Sequence, residues 1–369
     1  MKRYAITVCL LLLTSAAFAQ TPEMPARVDE LAAEYFGEGK PVVGGVIGIV
    51  DGNKRYAKGY GRVSLDSEAS PDIDTVYEIA SLSKTFTGVL LGEMVARNEI
   101  SLDEPLDQFV PQGISVPRYD GETVTLRQLS THSSGLPRLP TDFWQVAAPE
   151  PDNPYKFYTS EKIERFLDTY QLTVKPDSRY EYSNLGASVL GYAMEQKTGK
   201  TYEQLVQERI CQPLGMANTA VELTESMREK LAPPYDEKHQ PANNWDLPGF
   251  AAGGGLRSSM RDMLAFAQAA AGVLEAFPGL AANPDHPLVA GMKAAGSLHY
   301  EDTASNRRMG LGWHFNPSGD LTHNGQTGGY HSNIIVNPKS RRAIVLLTNT
   351  AASDADRLSE TLWKSFDWK

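Results

Sequence analysis

Matching strand–turn–strand patterns at the two ends of the chain constrain the fold more than any other feature. Near the amino terminus, the apolar run VVGGVIGIV (42–50) is followed by the turn residues DGNK and by RYAKGYGRV. Near the carboxyl terminus, GYHSNIIVN is followed by a Pro338–Lys339 turn and by RRAIVLLTNT. Gly and Asn tolerate the positive φ angles that tight turns need. Each end therefore predicts a β-hairpin, and one antiparallel sheet built from both termini accommodates the two.

The middle of the chain has a different pattern. Between about residues 100 and 250, helical periodicities such as SEKIERFLDTY and GASVLGYAMEQKTG alternate with loops rich in Pro. The expected fold class is α/β (α+β) and two-lobed, with an antiparallel sheet flanked by helices and an inserted all-helical lobe. No linker-like sequence separates the lobes. Residues 20–369 are therefore interpreted as one domain, with a sheet lobe (about 25–100 and 250–369), a helical lobe (about 100–250) and a cleft between them.

The first nineteen residues have the composition of a secretory signal peptide. Lys2 and Arg3 precede the apolar run AITVCLLLL, and the small residues AFA end at Ala19. Because such a segment is removed on export, the mature protein is expected to be secreted or periplasmic. Loss of the two cations takes the formal net charge from −10 to −12. This acidity disfavours nucleic acid and anionic membrane surfaces as partners, and no stable membrane insertion is expected.

Cysteine and histidine usage limits the chemistry of the mature chain. Cys9 lies inside the apolar run and gives no lipidation signal, which leaves only Cys211. One cysteine excludes an internal disulfide and a cysteine zinc site. His314, His323 and His331 could approach one another near a sheet edge, but the scattered histidines and the lack of an HExxH pattern disfavour a metal site. We expect no metal, no cofactor and a monomer that acts on a small molecule.

A Ser-x-x-Lys pattern, Ser81 to Lys84, starts the stretch SLSKTFTGVLLGEM. Its apolar residues recur at helical spacing, which places Ser81 at the amino end of a helix with Lys84 on the same face. A serine hydroxyl needs a group that accepts its proton before it can act as a nucleophile, and a desolvated lysine can do so. The alternative is an ordinary helix cap at Ser81 with a solvated lysine one turn later.

Two further motifs follow in the chain. Tyr182-Ser183-Asn184 falls after a turn-rich segment and before a helix, where a tyrosine can transfer protons and an asparagine amide can orient a substrate. The alternative there is an asparagine that caps the helix beside a packed tyrosine. The segment His323-Asn324-Gly325 enters the last hairpin, and its glycine lets a substrate backbone approach closely. The alternative is a Gly-rich turn with an exposed histidine.

The order of the three motifs resembles the serine β-lactamase and penicillin-binding-protein superfamily, in particular its class C branch. The resemblance covers nearly the whole mature chain and includes THSSGLPRLP (131–140) and AAGGGLRSSMRDMLAFA (251–267). It implies the β-lactamase/transpeptidase-like fold, a single catalytic domain over residues 20–369, and hydrolysis of an amide or ester through an acyl-enzyme. No metal or cofactor is required by this chemistry.

The resemblance also implies a role for each motif residue. Ser81 would be the nucleophile, Lys84 its proton acceptor or electrostatic partner, and Tyr182 the proton shuttle for the leaving group and the deacylating water. Asn184 would orient the substrate amide, and the backbone N–H groups of Ser81 and Gln326 would form the oxyanion hole. The third motif, His323, Asn324 and Gly325 together with Gln326, would complete the substrate-binding residues.

Two departures from the class C pattern concern the substrate. His323 stands where class C β-lactamases have lysine, and Leu139 stands where they have glutamine. A histidine is largely neutral at pH 7, so both changes weaken recognition of an anionic β-lactam-type substrate. Arg138 could compensate. The loop TDFWQVAAPEPDNPYKFY (141–158) carries five aromatic residues that either roof the cleft or pack onto the helical lobe.

Several functions remain open on this scaffold. The first is a β-lactamase-type hydrolase, and the alternatives are a D-alanyl-D-alanine carboxypeptidase/endopeptidase acting on peptidoglycan and an esterase of small esters. A non-catalytic penicillin-binding sensor is disfavoured, because no second membrane segment or additional domain is evident. The sequence contains no Gly-x-Ser-x-Gly pattern, which argues against an α/β-hydrolase.

Overall fold

A computed structural model of the chain describes residues 24–366, and a twisted antiparallel sheet is the centre of that part. Its strands, with those of two small accessory sheets, are β1 (Gly44–Asp51), β2 (Lys54–Gly61), β3 (Val76–Glu78), β4 (Arg118–Tyr119), β5 (Glu122–Thr123), β6 (Arg257–Ser259), β7 (Tyr300–Asp302), β8 (Arg307–Met309), β9 (His314–Phe315), β10 (Leu321–Gln326), β11 (His331–Asn337) and β12 (Arg342–Thr348). Among the described residues the main sheet has eight strands in the order β2-β1-β12-β11-β10-β9-β8-β7.

The two predicted terminal hairpins meet within this sheet. β1 and β2 pair across a turn in which Gly52 has a φ of 56°. β11 and β12 form the second hairpin, and β12 pairs with β1 so that Ile47 lies opposite Leu346. The prediction of one antiparallel sheet built from both termini is confirmed. Strands β7 to β9 were not predicted, because each has only two or three residues and no alternation of apolar side chains.

Helices cover both faces of the sheet. They are α1 (Met24–Ala32), α2 (Ser83–Ala96), α3 (Leu126–Ser130), α4 (Phe143–Ala147), α5 (Ser160–Thr169), α6 (Asn184–Thr198), α7 (Tyr202–Val206), α8 (Gln212–Leu214), α9 (Glu225–Lys230), α10 (Ala251–Gly254), α11 (Met260–Ala270), α12 (Pro278–Ala281), α13 (Pro287–Ala295) and α14 (Asp354–Ser365).

Alternate residues of the central strands divide the core into two layers, because successive side chains point to opposite faces of a sheet. Ile47 and Ile49 pack with α1 and α14, whereas Val46 and Val50 join the larger core beneath α2 and α11. That larger core continues into the inserted lobe, where α6 is buried from Leu185 to Met194. The cleft that carries the site opens along this junction.

The inserted lobe is largely helical but not wholly so. The expectation of an all-helical lobe is corrected by the pair β4–β5, a ribbon in which Arg118 lies opposite Thr123. These strands have two residues each, and strands so short leave no periodic pattern in a sequence. A second pair, β3–β6, joins the segment before α2 to the segment before α11. The predicted domain boundaries stay a prediction.

Three further expectations concern the signal peptide, membrane insertion and the remaining cysteine. The predicted signal peptide, residues 1–19, lies outside the described residues. Within residues 24–366, no helix combines the length and the apolar character needed to cross a membrane. Cys211 is buried and not disulfide-bonded.

Candidate active site

Ser81 lies in a tight 3₁₀ turn, Ala80–Leu82, that runs directly into α2. The turn is held by Ser83, whose hydroxyl donates to the carbonyl of Ala80 at 2.7 Å and accepts from the backbone N–H of Leu256 at 3.0 Å. Ala80 has a φ of 48°, a left-handed conformation that a residue with a side chain rarely adopts. Such strain is typical of functional sites. The turn leaves the Ser81 side chain partly exposed on the cleft wall. Helix α2 begins at Ser83, so Ser81 lies just before the helix that the sequence predicts.

Lys84 is 1% exposed, and its Nζ lies 3.1 Å from Ser81 Oγ. The same nitrogen donates to Asn184 Oδ1 at 2.8 Å and to the carbonyl oxygen of Gly253 at 2.5 Å. Burial holds the pKa of Lys84 well below its ordinary value, and the charge of Arg138 lowers it further. A neutral amine has two N–H groups and one lone pair. The two carbonyl-type oxygens can only accept, so in the neutral form of Lys84 the lone pair is left for the Ser81 hydroxyl.

The contact with Gly253 depends on the absence of a side chain there. A Cβ at this position would lie 2.6 Å from Ser188 Oγ and 3.0 Å from the carbonyl oxygen of Asn184. Glycine therefore lets α10 approach α6 closely enough for its carbonyl to reach Lys84. Gly253 was not predicted as a site residue, although the glycine run AAGGG is visible in the sequence.

The side chains of Lys84 and Arg138 both lie over the ring of Tyr182. Lys84 Nζ is 4.9 Å from the ring centroid, and the Arg138 guanidinium carbon is 5.0 Å from it. Burial raises the pKa of Tyr182 despite a hydrogen bond to Ser81 and the charge of Arg138, which both act to lower it. The phenol therefore stays protonated at neutral pH in the free protein. In that state it can supply a proton to a leaving group beside Ser81.

Asn184 is the first residue of α6, but it does not cap the helix. That task falls to Ser183, whose Oγ accepts from the backbone N–H of Gly186 at 2.8 Å. The Asn184 side chain is free to accept from Lys84, and its Nδ2 donates to the hydroxyl of Tyr155 at 3.0 Å. The three side chains form one hydrogen-bonded chain that ends at Tyr155, a residue of the predicted aromatic loop.

The third motif lies on β10, next to the Ser81 turn. His323 is 2% exposed, and its Nδ1–H donates to the carbonyl oxygen of Asn324 at 2.6 Å. Its Nε2 is buried without a hydrogen-bond partner among the described residues. Burial, His314 and Lys84 together hold the pKa of His323 well below its ordinary value. The ring is therefore neutral at pH 7, with the Nε2 lone pair available as an acceptor.

Alternate residues of β10 point in opposite directions. Asn324 and Gln326 are exposed, whereas His323 and Gly325 are buried. The side chain of Asn324 donates to Asp356 Oδ2 at 2.7 Å and so is directed to α14. All four residues nevertheless line the space in front of Ser81, Asn324 included.

Gly325 brings the strand against the Ser81 turn. A Cβ there would lie 2.8 Å from the backbone nitrogen of Ser81 and 2.5 Å from the carbonyl oxygen of Ile79. Only a glycine allows this approach without displacement. The next residue along β10, Gln326, is thereby held close to the turn, and it lines both depressions at Ser81.

A cluster of neutral histidines surrounds Tyr182. The rings of His314 and His323 are 4.9 Å apart, and the ring of His132 is 4.5 Å from that of Tyr182. Burial lowers the pKa of His314 to about 4 and that of His132 well below its usual range. His132 was missed by sequence reasoning, because it is carried by a loop with no catalytic pattern of its own.

His331, the third histidine considered for a metal site, has a separate partner. Its Nε2 lies 2.9 Å from Asp356 Oδ1, on the side of β11 that faces α14. Within residues 24–366, no group of three or more His, Cys, Asp or Glu side chains is arranged to hold a metal ion.

Two depressions meet at Ser81. The first, called the aromatic pocket here, is lined by Tyr155, Trp245, Leu247, Phe250 and Thr327, with Asn184 and Gln326. The second, called the polar cleft, is wider, and its wall includes Arg138, Tyr180, Tyr182, Arg307, Arg308, His314 and His323. A substrate that spans Ser81 would place one part in each.

The aromatic loop follows both of its predicted alternatives. Phe143 and Tyr158 are buried in the core, as in the packing interpretation, whereas Tyr155 lines the aromatic pocket. Trp144 is 66% exposed. Leu139 packs against the core and does not line either depression, while Arg138 lines the polar cleft.

Comparison with known proteins agrees with this geometry. The Beta-lactamase family model matches residues 28–364, most of the chain. The chain belongs to the β-lactamase family. Members of this family are serine hydrolases. The family assignment confirms the resemblance to serine β-lactamases and penicillin-binding proteins.

Two curated relatives of this β-lactamase family protein are informative. It is 31% identical to the D-alanyl-D-alanine-carboxypeptidase/endopeptidase AmpH of Escherichia coli over 268 residues, 72% of this chain and 68% of the relative. It is 25% identical to a β-lactamase of the same organism over 316 residues, 84% of this chain and 76% of the relative.

Solved structures of family proteins show the same fold. A β-lactamase/D-alanine carboxypeptidase from Yersinia pestis, complexed with citrate, superposes with a TM-score of 0.74 at 20% identity, covering 92% of this chain and 99% of its own. A mutant class C β-lactamase superposes with a TM-score of 0.78 at 20% identity, covering 95% and 99%. The family's two-lobed fold is thus confirmed for this chain.

Proposed function

We propose that the protein is an exported serine hydrolase that forms an acyl-enzyme at Ser81 with β-lactams or related amides and esters. The observation that carries this proposal is the position of Lys84. Its buried Nζ lies 3.1 Å from Ser81 Oγ and donates to Asn184 and Gly253, which in the neutral amine uses both N–H groups. A lone pair directed at a partly exposed serine hydroxyl is the arrangement that activates a nucleophile.

The catalytic steps follow from the same contacts. Ser81 Oγ attacks the substrate carbonyl while its proton passes to Lys84 Nζ, and the N–H groups of Ser81 and Gln326 bind the developing oxyanion. The protonated phenol of Tyr182 then donates to the leaving group. Water attacks the acyl-enzyme in the second half-reaction, with the same residues accepting and returning a proton. Asn184 keeps Lys84 in place throughout and faces the aromatic pocket.

A D-alanyl-D-alanine carboxypeptidase/endopeptidase activity on peptidoglycan is the second candidate. It is supported by the 31% identity to a protein of that description, compared with 25% to a β-lactamase. The neutral His323 replaces the lysine that class C β-lactamases have at the third motif, and this difference also favours the peptidase over a β-lactamase. An esterase activity on small esters would use the same residues.

Time-resolved mass spectrometry of the intact mature protein with benzylpenicillin tests the proposal, beside the Ser81→Ala variant. Ser81→Ala should fold normally, since the hydroxyl bonds only within the site. A lasting acyl adduct that is absent from the variant would favour the peptidase, because deacylation is slow. Penicillin consumption without a lasting adduct, again dependent on Ser81, would favour a β-lactamase.

A second arm of the experiment uses a small aryl ester. Ester hydrolysis that requires Ser81, with no reaction on penicillin, would assign the esterase activity. Hydrolysis of any of these substrates by the Ser81→Ala protein at the wild-type rate would refute Ser81 as the nucleophile. Export is tested separately by cell fractionation and amino-terminal sequencing, which should show a mature protein that begins at Gln20.

A further inference from the structure

Three arginines on the wall of the polar cleft have no acidic partner within residues 24–366. Arg138 stacks over the ring of Tyr182 at 5.0 Å, Arg307 over Tyr180 at 5.7 Å, and Arg308 over Phe315 at 5.1 Å. None of the three guanidinium groups forms an ion pair or a hydrogen bond with the described residues. These ring contacts use none of the guanidinium N–H groups, which are the groups that bind carboxylate or phosphate in a bidentate manner.

The acidic side chains of the same cleft are already engaged. Asp356 accepts hydrogen bonds from Asn324, Asn333 and His331. Glu360 lies 3.2 Å from Lys364 in an ion pair on α14. With three arginines against two carboxylates, the lining of the polar cleft has a positive formal charge, although the chain as a whole has a net charge of −10. Unpaired cations concentrated beside a nucleophile favour an anionic ligand.

The position of Arg138 and Arg307 indicates which half of a bound substrate would face their positive charge. Arg138 is close enough to Lys84 for its charge to lower the lysine pKa, and Arg307 has the same effect on His314. Both arginines line the polar cleft together with Tyr182, and neither lines the aromatic pocket. Tyr182 is the proton donor of the proposed mechanism. The leaving group consequently lies on the arginine side of Ser81.

His323 adds an independent indication that a ligand occupies this side. His323 is one of the residues that line the polar cleft, and its buried Nε2 has no partner among the described residues. A buried acceptor without a partner is unfavourable until a bound molecule supplies a donor. Because the ring is neutral, it cannot itself neutralise an anion. The positive charge has to come from elsewhere in the cleft.

We propose that Arg138 and Arg307 form an anion subsite for the leaving-group half of the substrate, in place of the cation that class C β-lactamases carry at the third motif. The subsite binds a carboxylate, while the acyl half enters the aromatic pocket. This inference rests on the proposed function, which places the leaving group in the polar cleft and the acyl group in the aromatic pocket. It reverses the sequence expectation that loss of the third-motif lysine weakens recognition of anionic substrates.

The test compares two esters of nearly the same shape that differ in the charge of one substituent. These are 3-carboxyphenyl acetate, whose leaving group is anionic, and its neutral isostere 3-carbamoylphenyl acetate. The wild-type protein should hydrolyse the anionic ester with a kcat/KM about tenfold higher or more, the scale of one charge-assisted hydrogen bond. Arg307→Gln and Arg138→Gln should each move this ratio toward one.

Arg228→Gln provides the matched control. Arg228 is exposed on α9 and lines neither depression, and its removal changes the net charge by the same amount. It should leave the preference for the anionic ester unchanged. A fall in the ratio in this variant equal to that in Arg307→Gln would mean that overall charge, rather than the subsite, sets the preference, and would overturn the proposal.

Binding of the intact esters to the Ser81→Ala protein separates the subsite from the hydrolytic activity. Calorimetry should show tighter binding of the anionic ester, and this difference should disappear when Arg307→Gln is added. If the wild-type protein hydrolyses neither ester but this binding pattern holds, the proposed function fails and the subsite stands. If hydrolysis depends on Ser81 but the ratio is near one, or is unchanged in both arginine variants, the subsite is refuted and the function stands.

Discussion

Lys84 and Gly253 are joined by a hydrogen bond of 2.5 Å between Nζ and the carbonyl oxygen, from helix α2 to helix α10. The same nitrogen is also held by Asn184, so its position beside Ser81 is fixed by two acceptors from different parts of the chain. Neither acceptor carries a full negative charge. Two carbonyl-type oxygens stabilise the protonated amine less than a carboxylate would, and burial together with the charge of Arg138 lowers the pKa of Lys84.

Loss of either proton-transfer group should reduce acylation strongly. Lys84→Met removes the amine while keeping the volume of the buried side chain, and Tyr182→Phe removes only the hydroxyl. Each should lower kcat/KM by about 10³-fold, as for residues that act as a unit. The double variant should be little worse than the poorer single variant. Multiplicative effects in stopped-flow acylation rates would instead show that the two groups act independently.

The hydroxyl of Tyr155 should matter for rate more than for stability. It accepts a hydrogen bond from Asn184 Nδ2, and without it the amide can turn away from Lys84. Tyr155→Phe should lower kcat about tenfold, with a small change in the free energy of unfolding.

Tyr158→Phe is the control for this prediction, since Tyr158 lies on the same loop. Its hydroxyl donates to Asp142 Oδ1 at a distance of 2.8 Å, and this hydrogen bond involves no residue of the site. It should cost about 1 kcal/mol or less in stability and leave kcat unchanged. Steady-state kinetics and urea unfolding of both variants decide the matter. Equal losses of kcat in the two would mean that the loop as a whole, rather than the Tyr155 hydroxyl, supports the site.

The sequence predicted the parts of the fold that show a sustained spacing of apolar residues or a recognisable turn. The hairpin at Gly52 and the stripe of apolar residues from Leu82 to Met94 are local patterns, and both gave the correct element. Strand β9, His314–Phe315, has two residues and is defined only by its neighbours in the sheet. No local pattern can specify a strand of that kind.

The candidate site divides in a similar way. Ser81, Lys84 and Asn184 were predicted from motif spacing, and the structure brings them together. Two other groups are brought to the site by tertiary packing. The carbonyl of Gly253 accepts from Lys84, which is 169 residues away in the sequence. The side chain of His132 accepts from the backbone of Ser183, which is 51 residues away. Contacts of that separation depend on the packed fold and leave no mark on spacing.

Buried neutral histidines should make the protein sensitive to mild acid. The pKa of His314 is lowered from 6.5 to about 4 by burial and by Arg307. Below pH 6.5 the unfolded chain binds a proton at this residue and the folded protein does not, until the pH approaches 4. Its contribution to stability is therefore complete above pH 6.5 and is lost as the pH falls, by up to about 1.4 kcal/mol for each pH unit. His132 and His323 act in the same direction.

Urea unfolding of the wild-type protein and of His314→Gln between pH 7 and 4.5 measures this contribution. The difference in unfolding free energy between them should change with pH in favour of the variant as the pH falls. Carboxylate titration is common to both proteins and cancels in the difference. A difference that stays constant across this range would mean that His314 does not titrate between the folded and unfolded states as described.

Gly325 should be irreplaceable for the approach of β10 to the Ser81 turn. An alanine Cβ would lie 2.5 Å from the carbonyl oxygen of Ile79 and 2.8 Å from the nitrogen of Ser81, and both are backbone atoms that cannot rotate away. Gly325→Ala should therefore push strand and turn apart, with a loss of about 2 kcal/mol or more in stability and of at least tenfold in kcat. Gly279→Ala is the matched control, because a Cβ there meets no atom within 4 Å. Differential scanning calorimetry and ester hydrolysis should show the control unchanged, and an active, stable Gly325→Ala protein would contradict the close contact between β10 and Ser81.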